Sequence, residues 1–136
     1  MAPNPYNDKI IQEFRSHGGK VPSFQGTDQL LLLTTIGARS GEPRTSPLAY
    51  LRDGDDVVVF GSYAGRPEHP QWYFNLRATP AVTVELGTDT FAARARVAEG
   101  HERARIWEEQ KAAVPQFADY ETSTTREIPV VILERT

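Results

Sequence analysis

The chain contains no cysteine. That excludes a disulfide framework, a thiolate metal site and a cysteine nucleophile. Lysine is scarce as well: of 15 basic residues only Lys9, Lys20 and Lys111 are lysines, and the rest are arginine. The three histidines, His17, His69 and His101, are too far apart for a metal-ligand spacing such as H-x-x-x-H, so no metal site is expected. No apolar run approaches the ~20 residues that cross a bilayer. The opening MAPNPYNDKIIQEF is polar and does not read as a secretory leader. The expectation is a cytoplasmic protein. Acid is in slight excess, with a net charge of −3, which argues against wholesale binding of nucleic acid.

What is present suits one domain with one core: 136 residues, rich in short apolar runs separated by turn residues. Asn7 or Asp8 can cap a first helix with Ile10, Ile11 and Phe14 as its apolar stripe, ended by Gly18-Gly19. This helix and its connector (1–25) should pack on or beside the barrel described next. Strand signals follow at LLLLTTI (from Leu30), RTSPLAYLRDG (44–54) and DVVVFGS (56–62). Pro47 cannot donate to a ladder, so its strand should lie at an edge or carry a bulge there. Pro70 reads as the first position of a short helix, with Trp72, Tyr73 and Leu76 on its apolar side. AVTVELG and TFAARARVA alternate as a hairpin, with Phe91, Ala93, Ala95 and Val97 on one face. A helix is expected over 101–114 with Ala104, Trp107 and Val114 inward, then an irregular stretch over 116–128, then a last strand in PVVILERT. About six strands, joined mostly by short turns with helices inserted, argue for a small antiparallel barrel over a doubly wound sheet.

Three groups of residues carry chemical interest. In TTIGARSGEPRTSPLAY, Arg39, Ser40, Arg44, Thr45 and Ser46 surround a glycine turn and could converge on an anion. The alternative is two solvated arginines on a hairpin. In Phe60-Gly61-Ser62, a strand ends in small residues whose backbone N–H groups could meet an acceptor or a flat ring. Trp72 and Asn75 share a helix face, and Phe117 and Tyr120 lie in the irregular stretch after the last long helix. No nucleophile elbow, dinucleotide fingerprint or P-loop is visible, so any chemistry would fall to a bound cofactor.

The order of these motifs resembles the deazaflavin (F420)-dependent nitroreductase family, from about Leu30 to the C-terminus. TTIGARSGEPR, the strand ending in Gly61-Ser62, HPQWYFNL before Pro80, and REIPVVILER carry the likeness. The resemblance implies a split β-barrel similar to FMN-binding reductases, and coenzyme F420 in its reduced form, F420H2, as hydride donor to a quinone, enone or nitro compound. Quinone reduction is the favoured activity. The alternatives are an F420-sequestering protein and an FMN-binding split barrel. The resemblance further implies cofactor positions at Arg39, Ser40, Arg44, Ser46, Pro47, Phe60, Gly61, Ser62, Trp72 and Asn75. It implies substrate positions at Trp72, Val114, Phe117 and Tyr120, with Ser62 and Tyr120 as donors to the reacting oxygen. Relatives with tyrosine clusters there differ from this chain, which keeps one hydroxyl, at Tyr120, and has Ala49 where some members have tyrosine. The partners implied are a small-molecule acceptor, no nucleic acid, and a weak membrane-surface contact through the first helix, at the inner membrane face. Oligomeric state and the role of Arg66 are left open by the sequence.

Overall fold

The computed structural model describes residues 5–24 and 29–136. Six strands form a closed antiparallel barrel in the order β1-β2-β3-β6-β5-β4. They are β1 (Leu30–Ile36), β2 (Pro43–Asp53), β3 (Asp56–Phe60), β4 (Ala81–Leu86), β5 (Asp89–Val97) and β6 (Val130–Arg135). Four helices join them: α1 (Pro5–Ser16), α2 (Gln71–Ala78), α3 (Gly100–Ala113) and α4 (Gln116–Ser123). The 1–25 helix-and-connector segment is described except for residues 1–4 and 25, which lie outside the described residues.

Closure follows from strands that are apolar on both faces. Val57, Val59, Val131 and Leu133 point inward with Leu31, Leu33, Val82 and Val84, and α2 plugs this interior with Trp72, Tyr73 and Leu76. The alternate residues Val58, Phe60, Val130 and Ile132 face outward, where Ile106 and Trp107 of α3 and Phe117 of α4 cover them. Removing a fully buried leucine such as Leu31 would cost about 3 kcal/mol, the lost transfer free energy plus the cavity left behind.

Pro47 shows why the barrel is split. It pairs with Leu32 of β1, while β3 joins β2 only from Tyr50 to Asp53. The half of β2 that carries the proline therefore has a neighbour on one side alone, as a residue without N–H requires. A cleft opens beside that half-strand.

Several expectations need correction. Asn7 and Asp8 do not cap α1, which begins at Pro5 and holds both residues within its first turns. Pro70 is the N-cap of α2 and not its first residue. Residues 116–123 form α4 where an irregular stretch was expected, with Pro115 as its N-cap. The inward face of α3 is Ile106, Trp107 and Gln110; Ala104 is exposed. Val97 is also exposed, at the end of β5, apart from the face shared by Ala93 and Ala95. Ile10 and Phe14 of α1 are buried and Ile11 is half-buried, so the helix turns most of its apolar stripe to the protein. Among the described residues no helix is long and apolar enough to cross a membrane.

Candidate functional site

The cleft beside β2 is a cavity of about 800 Å³. Its floor is the unpaired half of β2, including Arg44, Ser46, Pro47 and Ala49. Phe60 and Ser62 enter from the end of β3, Trp72 and Asn75 from α2. Val114, Phe117 and Tyr120 close the far side from α4 and the turn before it. Thus most of the residues singled out in the sequence meet in one place. Arg39, Ser40 and Gly61 do not line the cavity.

Each wall has a local cause. The turn between β1 and β2 closes itself: Gly37 N–H donates to the Glu42 carbonyl (2.8 Å), Gly41 N–H to the Gly37 carbonyl (2.9 Å), and Glu42 N–H to Ser40 Oγ (3.2 Å). Ser40 is therefore engaged within the turn. Arg44 leaves the turn toward the cavity with 38% of its side chain exposed, and its only ion pair among the described residues is a loose one to Glu42 (3.5 Å). An exposed pair of that length contributes little, so the guanidinium is available to an anion.

Asn75, by contrast, is 1% exposed and fully occupied as an acceptor. Its Oδ1 accepts from Ala38 N–H (3.0 Å) and Gln71 Nε2 (3.1 Å), and its Nδ2 donates to Thr35 Oγ1 (3.1 Å). It ties α2 to the end of β1 and so holds Trp72 at the cavity wall.

The loop after β3 is the most unusual backbone in the chain. Tyr63 (φ 45°), Ala64 (φ 53°) and Gly65 (φ 77°) are left-handed in succession, a conformation that costs about 1–2 kcal/mol at each non-glycine position. Ser62, Tyr63 and Ala64 line the cavity, and their backbone N–H groups find no acceptor among the described residues. Neither the Ser62 nor the Tyr120 hydroxyl bonds to a described residue. Burial, aided by the Asp119 charge, raises the Tyr120 phenol above its ordinary pKa, so it stays protonated and able to donate. The edge-to-face rings of Phe117 and Tyr120 (centroids 5.2 Å apart) give the far wall an apolar body with one polar tip. Arg66 lies outside the cavity, paired with Glu68 (3.0 Å) and over the Tyr63 ring (4.8 Å).

Sequence reasoning missed two contributors. Ile11 and Arg15 of α1 also line the cavity, and Arg15 is fixed by a bidentate bond to Glu85 of β4 (3.0 and 2.9 Å). Arg126 was missed altogether; it donates to three carbonyls of the 61–66 loop. Only the amphipathic stripe of α1 could have hinted at the first, and nothing local signals the second.

A split antiparallel barrel with a slot of partly apolar walls, backbone donors without described acceptors and an arginine only loosely paired with Glu42 is suited to a flat ligand with an anionic tail. Residues 7–135 match the family model described as F420H(2)-dependent quinone reductase, and the chain belongs to that family. An F420H(2)-dependent quinone reductase of Mycobacterium tuberculosis is 37% identical over 121 residues, covering 87% of this chain and 79% of its own. Among solved structures, a Mycobacterium F420-H2 dependent reductase (FDR-A) superposes with a TM-score of 0.72 at 40% identity, over 78% of this chain and 94% of that one. A structure described as a domain-swapped dimer superposes with a TM-score of 0.75 at 34% identity, over 98% of this chain and 100% of that one.

Proposed function

We propose that the cavity holds coenzyme F420 and that the protein is an F420H2-dependent reductase acting on quinone-class acceptors. The observation that carries this reading is the pairing of free donors with a free cation. Three unpartnered N–H groups and two unpartnered hydroxyls line the same cavity as Arg44, whose one acidic neighbour is loosely held. A polar flat ring with a phosphate and carboxylate tail satisfies both sets at once. The cavity volume lies within the range that accommodates a cofactor together with part of a second molecule.

Bound F420H2 supplies the hydride that the acceptor takes up. The chain's own residues supply position and environment. Arg44 would attract the anionic tail, and Ser46 and Pro47 would form a wall of the slot that takes the ring. The amides of Ser62–Ala64 would donate to acceptor atoms of the cofactor. Trp72, Val114 and Phe117 exclude water from the acceptor's side. Ser62 or Tyr120 donates a hydrogen bond to the oxygen on which charge develops; neither hydroxyl needs an altered acidity to do so. Phe117 in place of a further hydroxyl makes that side less polar, which favours quinones over bulky nitro compounds.

A fluorescence titration tests the assignment. The protein should bind F420 and not FMN, and Arg44→Ala should weaken F420 binding by about 10-fold, the loss of one charge-assisted contact. Equal binding by the variant would remove the arginine from the site. Menadione-dependent oxidation of F420H2 then separates a reductase from a protein that merely stores the cofactor. Phe117→Tyr should shift acceptor preference toward nitro compounds, and an unchanged preference would refute the account of selectivity.

A further inference from the structure

The 61–66 loop adopts a left-handed path at Tyr63 and Ala64 that its own sequence does not favour, so something outside it must hold it. Its internal hydrogen bonds are few: Gly65 N–H to the Ser62 carbonyl (2.8 Å) and Arg66 N–H to the Tyr63 carbonyl (3.1 Å). From outside, Gly61 N–H donates to the Pro129 carbonyl (2.9 Å) and α4 packs on Gly65, and the side chain with the most bonds to the loop is Arg126, four residues before β6. Its Nη1 donates to the Gly61 carbonyl (3.0 Å), Nη2 to the Ser62 carbonyl (2.9 Å) and Nε to the Arg66 carbonyl (3.0 Å). Nη1 also meets His69 Nδ1 (3.0 Å). An arginine has donors alone, so the imidazole nitrogen accepts and the ring is neutral there.

This is an unusual use of a partly buried cation. No ion pair joins Arg126 to a carboxylate among the described residues; Glu68 acts on it through space but is itself paired with Arg66 (3.0 Å). Burial accordingly pulls its pKa below the ordinary arginine value. A guanidinium whose contacts are all neutral acceptors on one loop and its flank is a template for that loop's shape. With the carbonyls of Gly61 and Ser62 drawn toward the fork, the following N–H groups are left without protein acceptors, and these are the ones at the cavity.

We propose that Arg126 is a positioning residue for the cofactor site: it sets the 61–66 loop through three carbonyls and thereby aligns the Ser62–Ala64 donors, without touching the ligand. The proposal rests on the F420 reading for its effect on binding, but not for its effect on the loop. Two measurements keep these apart. The first is hydrogen exchange of the free protein, read at the Gly65 and Arg66 amides. The second is F420 titration. Both compare the wild type with Arg126→Lys, which keeps the charge and loses the planar fork. Arg103→Lys is the control: Arg103 donates to the Ile128 carbonyl (2.7 Å) and pairs with Glu127, and makes no contact with the loop.

In Arg126→Lys the two amides should exchange at least about 10-fold faster, and F420 affinity should fall by about 10-fold or more. Arg103→Lys should change neither, even where its melting temperature falls as far. Faster exchange with weakened binding in Arg126→Lys alone supports the proposal. Binding and exchange equal to wild type overturn it, as do equal losses in both variants, which would mean general destabilisation. If the wild type itself fails to bind F420, the cofactor reading falls, and the exchange result still decides whether Arg126 sets the loop.

Discussion

Two turns border the cavity, and they are held differently. The turn at residues 37–42 closes largely on itself through adjacent backbone groups and Ser40, with one outside tie from Ala38 N–H to Asn75 Oδ1, and Gly41 at its tip meets open space. The loop at residues 61–66 makes few bonds of its own and is fixed from a distance by Arg126 and α4. A self-closing turn can present a mobile cation such as Arg44. A loop clamped from outside can present backbone donors at fixed positions. The difference suits the two ends of a ligand with a charged tail and a rigid ring.

The comparison is sharpest at two glycines, both with positive φ. A Cβ at Gly65 would stand 2.9 Å from Ser123 Cβ and 3.2 Å from Tyr120 Cα, so Gly65→Ala must push α4 away. We expect a loss of about 3 kcal/mol in urea unfolding and a severe loss of F420 binding, from strain and overpacking together. Asn75→Ala comes next. It leaves the buried Thr35 Oγ1 and the part-buried Ala38 N–H without their partner, for about 2 kcal/mol. Its effect on binding should be smaller than its effect on stability, since the side chain is engaged by protein. Gly41→Ala should cost about 1 kcal/mol, the left-handed penalty alone, and leave F420 affinity unchanged. If Gly41→Ala were as damaging to binding as Gly65→Ala, the distinction between the turns would fail.

The smallest effect expected is on pH dependence. Burial, then the charges of Arg126 and Arg77, lower the pKa of His69, whose ring also packs against Tyr73 and Phe74. A histidine depressed on folding binds its proton more readily in the unfolded chain, so stability should fall as pH drops from the ordinary histidine value through the lowered one. His69→Gln can still accept from Arg126 and should flatten that part of the stability profile. A profile identical to wild type would mean that His69 does not titrate there.

Much of the barrel was legible in sequence because its signals are local. Strands β1, β3 and β6 are apolar on both faces, and Gly87-Thr88-Asp89 and Asp53-Gly54 mark the β4–β5 and β2–β3 hairpins. Pro47 announced the split because a missing N–H is a property of one residue. The failures share a different cause. Helix α4 buries one large apolar residue, Phe117, in eight, so no stripe marks it, and Pro115 reads as a stop although it serves as the cap. Its helix exists because β3 and β6 offer an apolar face to cover. Arg126 recognises carbonyls, which every residue carries, at separations of 60 to 65 positions. No pattern of residue types could reveal it. Most of the side chains that meet at the cavity had been singled out in the sequence; the arginine that bonds its loop had not.

Arg126 lies 60 to 65 positions downstream of the loop it holds and just ahead of β6, the strand that joins β3 to β5. The cavity wall at residues 61–66 is thus synthesised before the side chain that restrains it. A chain cut short before Arg126 would carry every residue that lines the cavity and still lack the fork bonded to its loop.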